Sequence, residues 1–236
     1  MTDTLSRGLW VYLSTSPLLW LAGTLSVWLG ALALARLRPR NPLFNPVLIS
    51  VVVIAMVLVA GGIRYETYFS GAQFIHFLLG PATVALGVPL YEKLSLVKAN
   101  LLPMLAALAA GSITAIGSTV LLCHLFGFSP VVTASLAPKS TTAAVAMAIS
   151  EGLHGDAALT AAVVILTGIC GAIIVTPLMN SLGIRDYSAR GFAVGLASHG
   201  IGTARAYAVD PVAGLFSGLA MGLNAILTAL IVHLFL

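Results

Sequence analysis

Residues 129–150 read SPVVTASLAPKSTTAAVAMAIS, with Pro138 and Lys139 at the centre of an otherwise apolar run. About 20 such residues suffice to cross a bilayer as one helix. A central proline removes a helix hydrogen bond and clashes with the preceding turn. A central lysine costs about 2.5–3.5 kcal/mol on insertion scales. The stretch therefore predicts a re-entrant or broken element rather than a plain span. Charge in the loops points the same way, because cytoplasmic loops are enriched in Lys and Arg. If every apolar run spans fully, five basic loop residues fall inside (Arg36, Arg38, Arg40, Lys93, Lys98) and four outside (Arg7, Arg64, Arg185, Arg190). If 129–150 enters and leaves on one side, Arg185 and Arg190 move inside and the count becomes seven against two.

Working outward, apolar runs of spanning length cover 17–36, 43–63, 70–91, 98–126, 157–182, 189–209 and 212–236. The chain has 236 residues, 59% hydrophobic and 8% charged, with mean hydropathy +1.06. Soluble domains carry about 25% charged residues, so lipid is the expected solvent. The expected fold is all-α: a polytopic transmembrane helix bundle of about seven or eight membrane segments, with discontinuous or re-entrant helices, as a single domain over 1–236. No appended soluble domain is expected. The early apolar stretch ends in Arg36-Leu37-Arg38-Pro39-Arg40 rather than a small-residue cleavage site, so a spanning helix is expected there instead of a signal peptide. The net charge of +4 reads as topology signal, not a nucleic-acid patch.

Small residues at four-residue spacing, Gly191 with Gly195 and Gly214 with Gly218 and Gly222, predict close helix packing and are compatible with a homodimer. A repeat aligns Leu79-Gly-Pro-Ala-Thr83 with Leu136-Ala-Pro-Lys-Ser140, marking Pro81 and Pro138 as helix breaks.

The seven acids (Asp3, Glu66, Glu92, Glu151, Asp156, Asp186, Asp210) all sit at the ends of apolar runs. Cation carriers commonly need a buried carboxylate, so a metal-cation substrate is disfavoured. The two charges inside apolar runs, Lys139 and Arg205, are positive and have no intramembrane acid to pair with. A substrate anion is one partner; snorkelling or backbone carbonyls are the alternatives. A half-helix beginning at Pro138 would free the backbone N–H groups of Lys139, Ser140 and Thr141, and the hydroxyls of Ser140, Thr141 and Thr142 add donors. Those hydroxyls equally suit bonding to their own helix backbone. A second candidate stretch is Ser198-His-Gly-Ile-Gly-Thr-Ala-Arg205. There Gly200 and Gly202 would permit an unwound backbone, while His199 and Thr203 would offer donors, or the stretch would be a helix-packing site.

Asn45-Pro46 reads as a helix start, and Cys123, Cys170, His76, His124 and His233 read as packing or interfacial residues. No metal-ligand spacing, hydrolase motif or phosphate loop is present, so neither an enzyme nor a cofactor is expected.

The stretches Phe77-Leu-Leu-Gly-Pro-Ala-Thr-Val-Ala-Leu-Gly-Val-Pro-Leu-Tyr91, Ala137-Pro-Lys-Ser-Thr-Thr142, Thr167-Gly-Ile-Cys-Gly-Ala172 and Ala197-Ser-His-Gly-Ile-Gly-Thr-Ala-Arg205 resemble the LrgB/CidB family. The resemblance runs from about Asn41 to the C-terminus. Family members often carry a proline shortly after the Lys-Ser-x-Thr run, where this chain has Ala143-Ala144. The resemblance implies a multi-pass protein of the bacterial inner membrane, acting beside a small LrgA/CidA-type membrane partner. It implies either transport of small monocarboxylates (pyruvate, glycolate, glycerate) or antiholin-like control of murein hydrolase export and autolysis. Cationic groups without acidic partners suit a carboxylate, so the expected function is a secondary monocarboxylate transporter. Its substrate-binding set would be Lys139, Ser140, Thr141, Thr142, Ser198, His199, Gly200, Gly202, Thr203 and Arg205.

Overall fold

A computed structural model describes residues 16–37, 44, 46–78, 81, 85 and 87–236. The described chain is helical and divides into two compact units, residues 1–85 and 86–236. Of the expected repeat, Leu79, Gly80, Ala82 and Thr83 lie outside the described residues, as do Arg7, Arg38, Arg40 and Asn45.

The first unit holds α1 (Pro17–Leu37), α2 (Pro46–Ala60) and α3 (Tyr65–Phe77). Helix α2 ends where Gly62 takes φ +60° and the Ile63 amide donates back to the Leu58 carbonyl at 2.9 Å; glycine enters this left-handed region without steric cost. The sequence break expected at Arg64–Glu66 therefore falls earlier, and Tyr65 and Glu66 open α3 instead. Glu66 suits that first turn, facing the positive end of the helix. Helix α3 lies close on α1: a Cβ at Gly71 would overlap the Pro17 carbonyl and come 2.8 Å from Trp20 Cβ.

The second unit holds α4 (Gly87–Glu92), α5 (Leu94–Ala99), α6 (Leu101–Leu125), α7 (Pro130–Leu136), α8 (Ala143–Gly152), α9 (Ala157–Ser181), α10 (Tyr187–Val209) and α11 (Pro211–Ile231), then a 3-10 turn over Val232–Leu234. Four helices among the described residues are long and apolar enough to cross a membrane: α1, α6, α9, and α11 with its terminal turn. With the all-helical architecture, this makes the chain a helical membrane bundle. Three of the acids at the run ends cap α9, α10 and α11. Asp156 accepts from the Leu159 amide at 2.9 Å, Asp186 from Ser188 and Ala189 at 2.7 and 3.0 Å, and Asp210 from Val212 at 2.7 Å.

The 129–150 run is a helix hairpin. Helix α7 has 7 residues and α8 has 10, too short to reach across about 30 Å of hydrocarbon at about 1.5 Å per residue. Thr160 Oγ1 on α9 donates to the Ser135 carbonyl at 3.0 Å and meets Ser150 Oγ at 2.8 Å. The end of α7 and the end of α8 thus stand side by side, and the turn at 137–142 is the hairpin tip. Pro138 lies in this break, but no half-helix begins there. The Lys139 amide donates to the Leu136 carbonyl and the Thr141 amide to the Pro138 carbonyl, at 3.1 and 3.0 Å. Two of the three N–H groups expected to be free are consumed by the turn, and the second half-helix starts only at Ala143.

Helices α10 and α11 pack through glycine. A Cβ at Gly191 would overlap the Ala213 carbonyl, and one at Gly195 the Ser217 carbonyl. Gly214 accommodates the Tyr207 ring, whereas Gly222 faces open space among the described residues. The close approach expected of both glycine sets is thus made by Gly191 and Gly195 against backbone and by Gly214 against a ring.

Candidate functional site

The hairpin tip and a break in α10 meet near the middle of the second unit. At His199 the backbone takes φ 40°, ψ −135°, a conformation costing a non-glycine residue about 1–3 kcal/mol. The unwinding expected at Gly200 and Gly202 is therefore on His199 itself. Its surroundings hold it there. His199 Nε2 lies 2.9 Å from the Val164 carbonyl of α9, and since a carbonyl only accepts, Nε2 carries the proton. The ring occupies space a Cβ at Gly168 would take, at 2.7 Å from Cε1, and Gly171 makes the same room for Ser198 Oγ. Gly202 leaves space for Ser198 Cβ and Val194 Cγ1, at 2.6 and 2.7 Å from where its Cβ would stand. Gly200 is open but for Met221 Sδ at 3.8 Å.

Asn224 of α11 joins the two breaks. Its amide nitrogen donates to the Ser140 carbonyl at 3.1 Å and the Leu196 carbonyl at 3.2 Å. Its oxygen accepts from Ser112 Oγ of α6 at 2.7 Å and from Thr228 Oγ1 at 3.3 Å. Asn224 is fully buried, so these bonds satisfy an amide that lipid-like surroundings could not.

Against this frame lies a cavity of about 860 Å³. Ala110, Gly111, Thr114 and Ala115 of α6 form one wall, and α9 contributes Thr167, Cys170 and Gly171. Lys139 and Ser140 come from the hairpin tip, Leu196 and Ala197 from α10. Lys139 is half-buried, and its Nζ donates to Thr119 Oγ1 at 2.5 Å. Among the described residues no carboxylate lines this cavity. The hydroxyls of Ser140 and Ser198 are buried without a hydrogen-bond partner among the described residues. An ammonium, an adjacent unspent hydroxyl and apolar walls can neutralise and orient a small anion.

The other expected ligands have different placements. Thr141 is fully buried and its hydroxyl donates to the Pro138 carbonyl at 3.0 Å. Thr142 is the N-cap of α8, with no side-chain capping bond. Thr203 Oγ1 donates to the His199 carbonyl at 2.7 Å and pairs with Ser217 Oγ at 2.9 Å, tying α10 to α11. Arg205 lines a separate, much smaller cavity of about 30 Å³ together with Tyr187 and Arg190. Ser198 and His199 back the α10 break beside α9 and are absent from the lining of the larger cavity. Among the described residues no three His, Cys, Asp or Glu side chains converge as a metal site.

Sequence reasoning missed Asn224, Thr119 and Ser112. The available signal for Asn224 was a lone amide inside the last apolar run.

The family model described as the LrgB-like family matches residues 24–236. A holin-like protein CidB of Staphylococcus epidermidis is 33% identical over 193 residues, 82% of this chain and 84% of the relative. An uncharacterized protein of Haemophilus influenzae is 34% identical over 194 residues, with the same 82% and 84% coverage. The uncharacterized protein YwbG of Bacillus subtilis is 34% identical over 205 residues, 87% of this chain and 91% of the relative. No solved structure matches the chain. By the extent of these matches and by its helical membrane architecture, the chain belongs to the LrgB-like family.

Proposed function

We propose that this chain is a non-enzymatic, multi-pass secondary transporter of small monocarboxylates in the bacterial inner membrane. The observation that carries the reading is Lys139: an ammonium at the tip of a re-entrant hairpin, facing a cavity with no carboxylate among its described lining residues. A cation so placed is costly unless a wet cavity or an anion compensates it. Lys139 neutralises the carboxylate, and Ser140 bonds a carboxylate, keto or hydroxyl oxygen. The α8 N-terminus at Thr142 and Ala143 adds the positive end of a helix near the same tip. The break at His199 is the second discontinuity, in keeping with transporters that bind at mid-depth between interrupted helices. Arg205 acts, in this reading, at its own cavity rather than on the same carboxylate. A small LrgA/CidA-type membrane partner and homodimerisation belong to the proposal as accessory features.

The test is uptake of labelled pyruvate and glycolate into proteoliposomes, wild type beside Lys139→Ala, with and without the small partner. Saturable uptake that the substitution abolishes is expected. Absence of saturable uptake under both conditions overturns the reading. The holin-like name of the staphylococcal relative favours a second reading, antiholin-like control of murein hydrolase export. Leakage of an encapsulated dye without saturable uptake would favour that one.

A further inference from the structure

A second cavity, of about 590 Å³, lies between α6, α10 and α11. Its polar end is formed by Asn100, Asp186 and Ser188, at the ends of α6 and α10. Asp186 is exposed, so this end faces water. From there the cavity runs inward past Met104, Phe192 and Phe216. Its deepest lining residues, Gly111 and Leu196, also line the Lys139 cavity. The two spaces are therefore neighbours with one partition. That partition is the Leu196 side chain seated on Gly111: a Cβ at Gly111 would stand 2.8 Å from both Leu196 methyl carbons. Leu196 is itself 8% exposed and packs in the apolar cluster with Met104, Phe192 and Phe216.

The partition sits at a break in the backbone. Leu196 lies three residues before His199, and its carbonyl is held by the Asn224 amide at 3.2 Å. The same amide holds the carbonyl of Ser140, next to Lys139. The residue separating the cavities and the tip bearing the ammonium thus hang from one side chain.

The water-facing end also has a sign. In the chain, Lys93 and Lys98 shortly precede its lining residue Asn100, and Arg185 and Arg190 flank its lining residues Asp186 and Ser188. At the opposite end of the unit, residues 126–129 and 151–156 contain Glu151 and Asp156 and no Lys or Arg. Asp210 stands at the first end, because α10 doubles back at His199 and brings Arg205 and Val209 beside Tyr187 and Arg190. By the positive-inside rule the first end is cytoplasmic.

We infer that the 590 Å³ cavity is the cytoplasmic arm of the permeation path and that Leu196, closing on Gly111, is its gate. This rests on the reading of the Lys139 cavity as a transport site. The gate is apolar and dry when closed. It opens when the Leu196 side chain leaves Gly111, joining the cytoplasmic arm to the cavity that holds the substrate anion.

The chain supplies its own reporter. Cys170 lines the Lys139 cavity near the middle of α9, while Cys123, the other cysteine, is buried. In a Cys123→Ser background, a charged, membrane-impermeant thiol reagent reaches Cys170 only through water. Added from the cytoplasmic face of oriented vesicles, it should label Leu196→Ala about tenfold faster or more than the parent, the size of a modest shift in an open population. Leu196→Met should restore slow labelling. Leu215→Ala is the control, because Leu215 belongs to the same apolar cluster but lines neither cavity. An unchanged rate in Leu196→Ala, or an equal acceleration in Leu215→Ala, overturns the gate. The readout needs no substrate. Accelerated labelling without any uptake would leave the gate standing and remove the transport reading; uptake with unaltered labelling would do the reverse.

Discussion

The side-chain amide of Asn224 donates to the carbonyl of Ser140 at 3.1 Å, fixing a hairpin tip to the middle of another helix. It ties this tip, α6, α10 and its own helix at a single buried point. Truncation in Asn224→Ala leaves the Ser140 and Leu196 carbonyls and the Ser112 and Thr228 hydroxyls short of a partner. Each orphaned group costs about 1–3 kcal/mol in water-soluble cores and about 0.6 kcal/mol on average in membrane proteins. A loss of about 2–4 kcal/mol is expected for the set. Thermal unfolding in detergent, followed by reaction of the buried Cys123 thiol, measures it. A melting curve matching wild type would remove Asn224 from this role.

Lys139 separates binding from stability. Removing a half-buried ammonium that donates to Thr119 Oγ1 should not destabilise the fold, because desolvating a charge opposes folding. Lys139→Met is therefore expected to melt at or above wild type while losing carboxylate uptake by about 30-fold or more, the scale for truncating one member of a buried charged pair. Lys139→Arg should retain part of the uptake. Equal uptake in Lys139→Met and wild type would exclude the ammonium from the site.

The hairpin makes a topological prediction. In a chain with Cys123 and Cys170 replaced by Ser, single cysteines at Phe128 and Gly152 should react with an impermeant reagent from the same side of the membrane. Both residues are exposed; Phe128 precedes α7 and Gly152 ends α8. Labelling from opposite sides would contradict a hairpin that stands re-entrant in the bilayer.

Much of this was legible in the sequence, and what was missed has a common cause. Helices α6 and α9 occupy 101–125 and 157–181, within a few residues of the apolar runs, because length and hydropathy decide where a segment sits in lipid. The 189–209 run, expected to span, instead doubles back at His199, with Arg205 and Val209 beside Tyr187 and Arg190. The break at 137–142 was legible from Pro138 beside Lys139. The start of α8 was not, because the Lys139 and Thr141 amides turn back onto Leu136 and Pro138, and Ala143 carries no start signal. The kink in α10 was placed on glycines, the residues with conformational freedom. The structure puts it on His199, where Gly168 and the Val164 carbonyl of another helix compensate the strain. Such compensation is a property of the neighbour and leaves no trace in the local sequence. Arg205 and Lys139 share a sign and an apolar setting, yet line different cavities.

Two glycine-to-alanine substitutions should have opposite signs. At Gly195 a Cβ would overlap the Ser217 carbonyl and stand 2.7 Å from its Cα. Backbone cannot swing aside, so α10 and α11 must separate, at a cost of about 1–3 kcal/mol or more. At Gly222 nothing lies within 4 Å among the described residues. There the alanine gains helix propensity, up to about 1 kcal/mol. Thermal unfolding of the two variants should move down for Gly195→Ala and stay level or rise for Gly222→Ala. A fall of equal size in both would mean that the small-residue face is packed differently.

Asp186 gives the helix α10 start a pH dependence. The Ser188 hydroxyl, and after it the Ala189 amide, hold its carboxyl below the usual carboxylate range. A group whose folded value is depressed stabilises the fold above its unfolded value, and the contribution fades as pH falls through the folded value. Asp186 is exposed, so solvent screening keeps the effect small and local. The first turn of α10 is expected to be better ordered at neutral pH than at acid pH, and Asp186→Ala should abolish that difference. Because Asp186 and Ser188 also line the 590 Å³ cavity, fraying there should widen its mouth. Labelling of a cysteine placed at Ser188 in a chain otherwise lacking cysteine would be ambiguous, since that substitution removes the hydroxyl bond itself. A cysteine at Ala193, which lines the same cavity one turn deeper, keeps the cap intact. Its labelling, corrected for thiolate fraction, should rise as pH falls below the ordinary carboxylate range and should be flat in Asp186→Ala. A pH response that survives Asp186→Ala would assign it to another group.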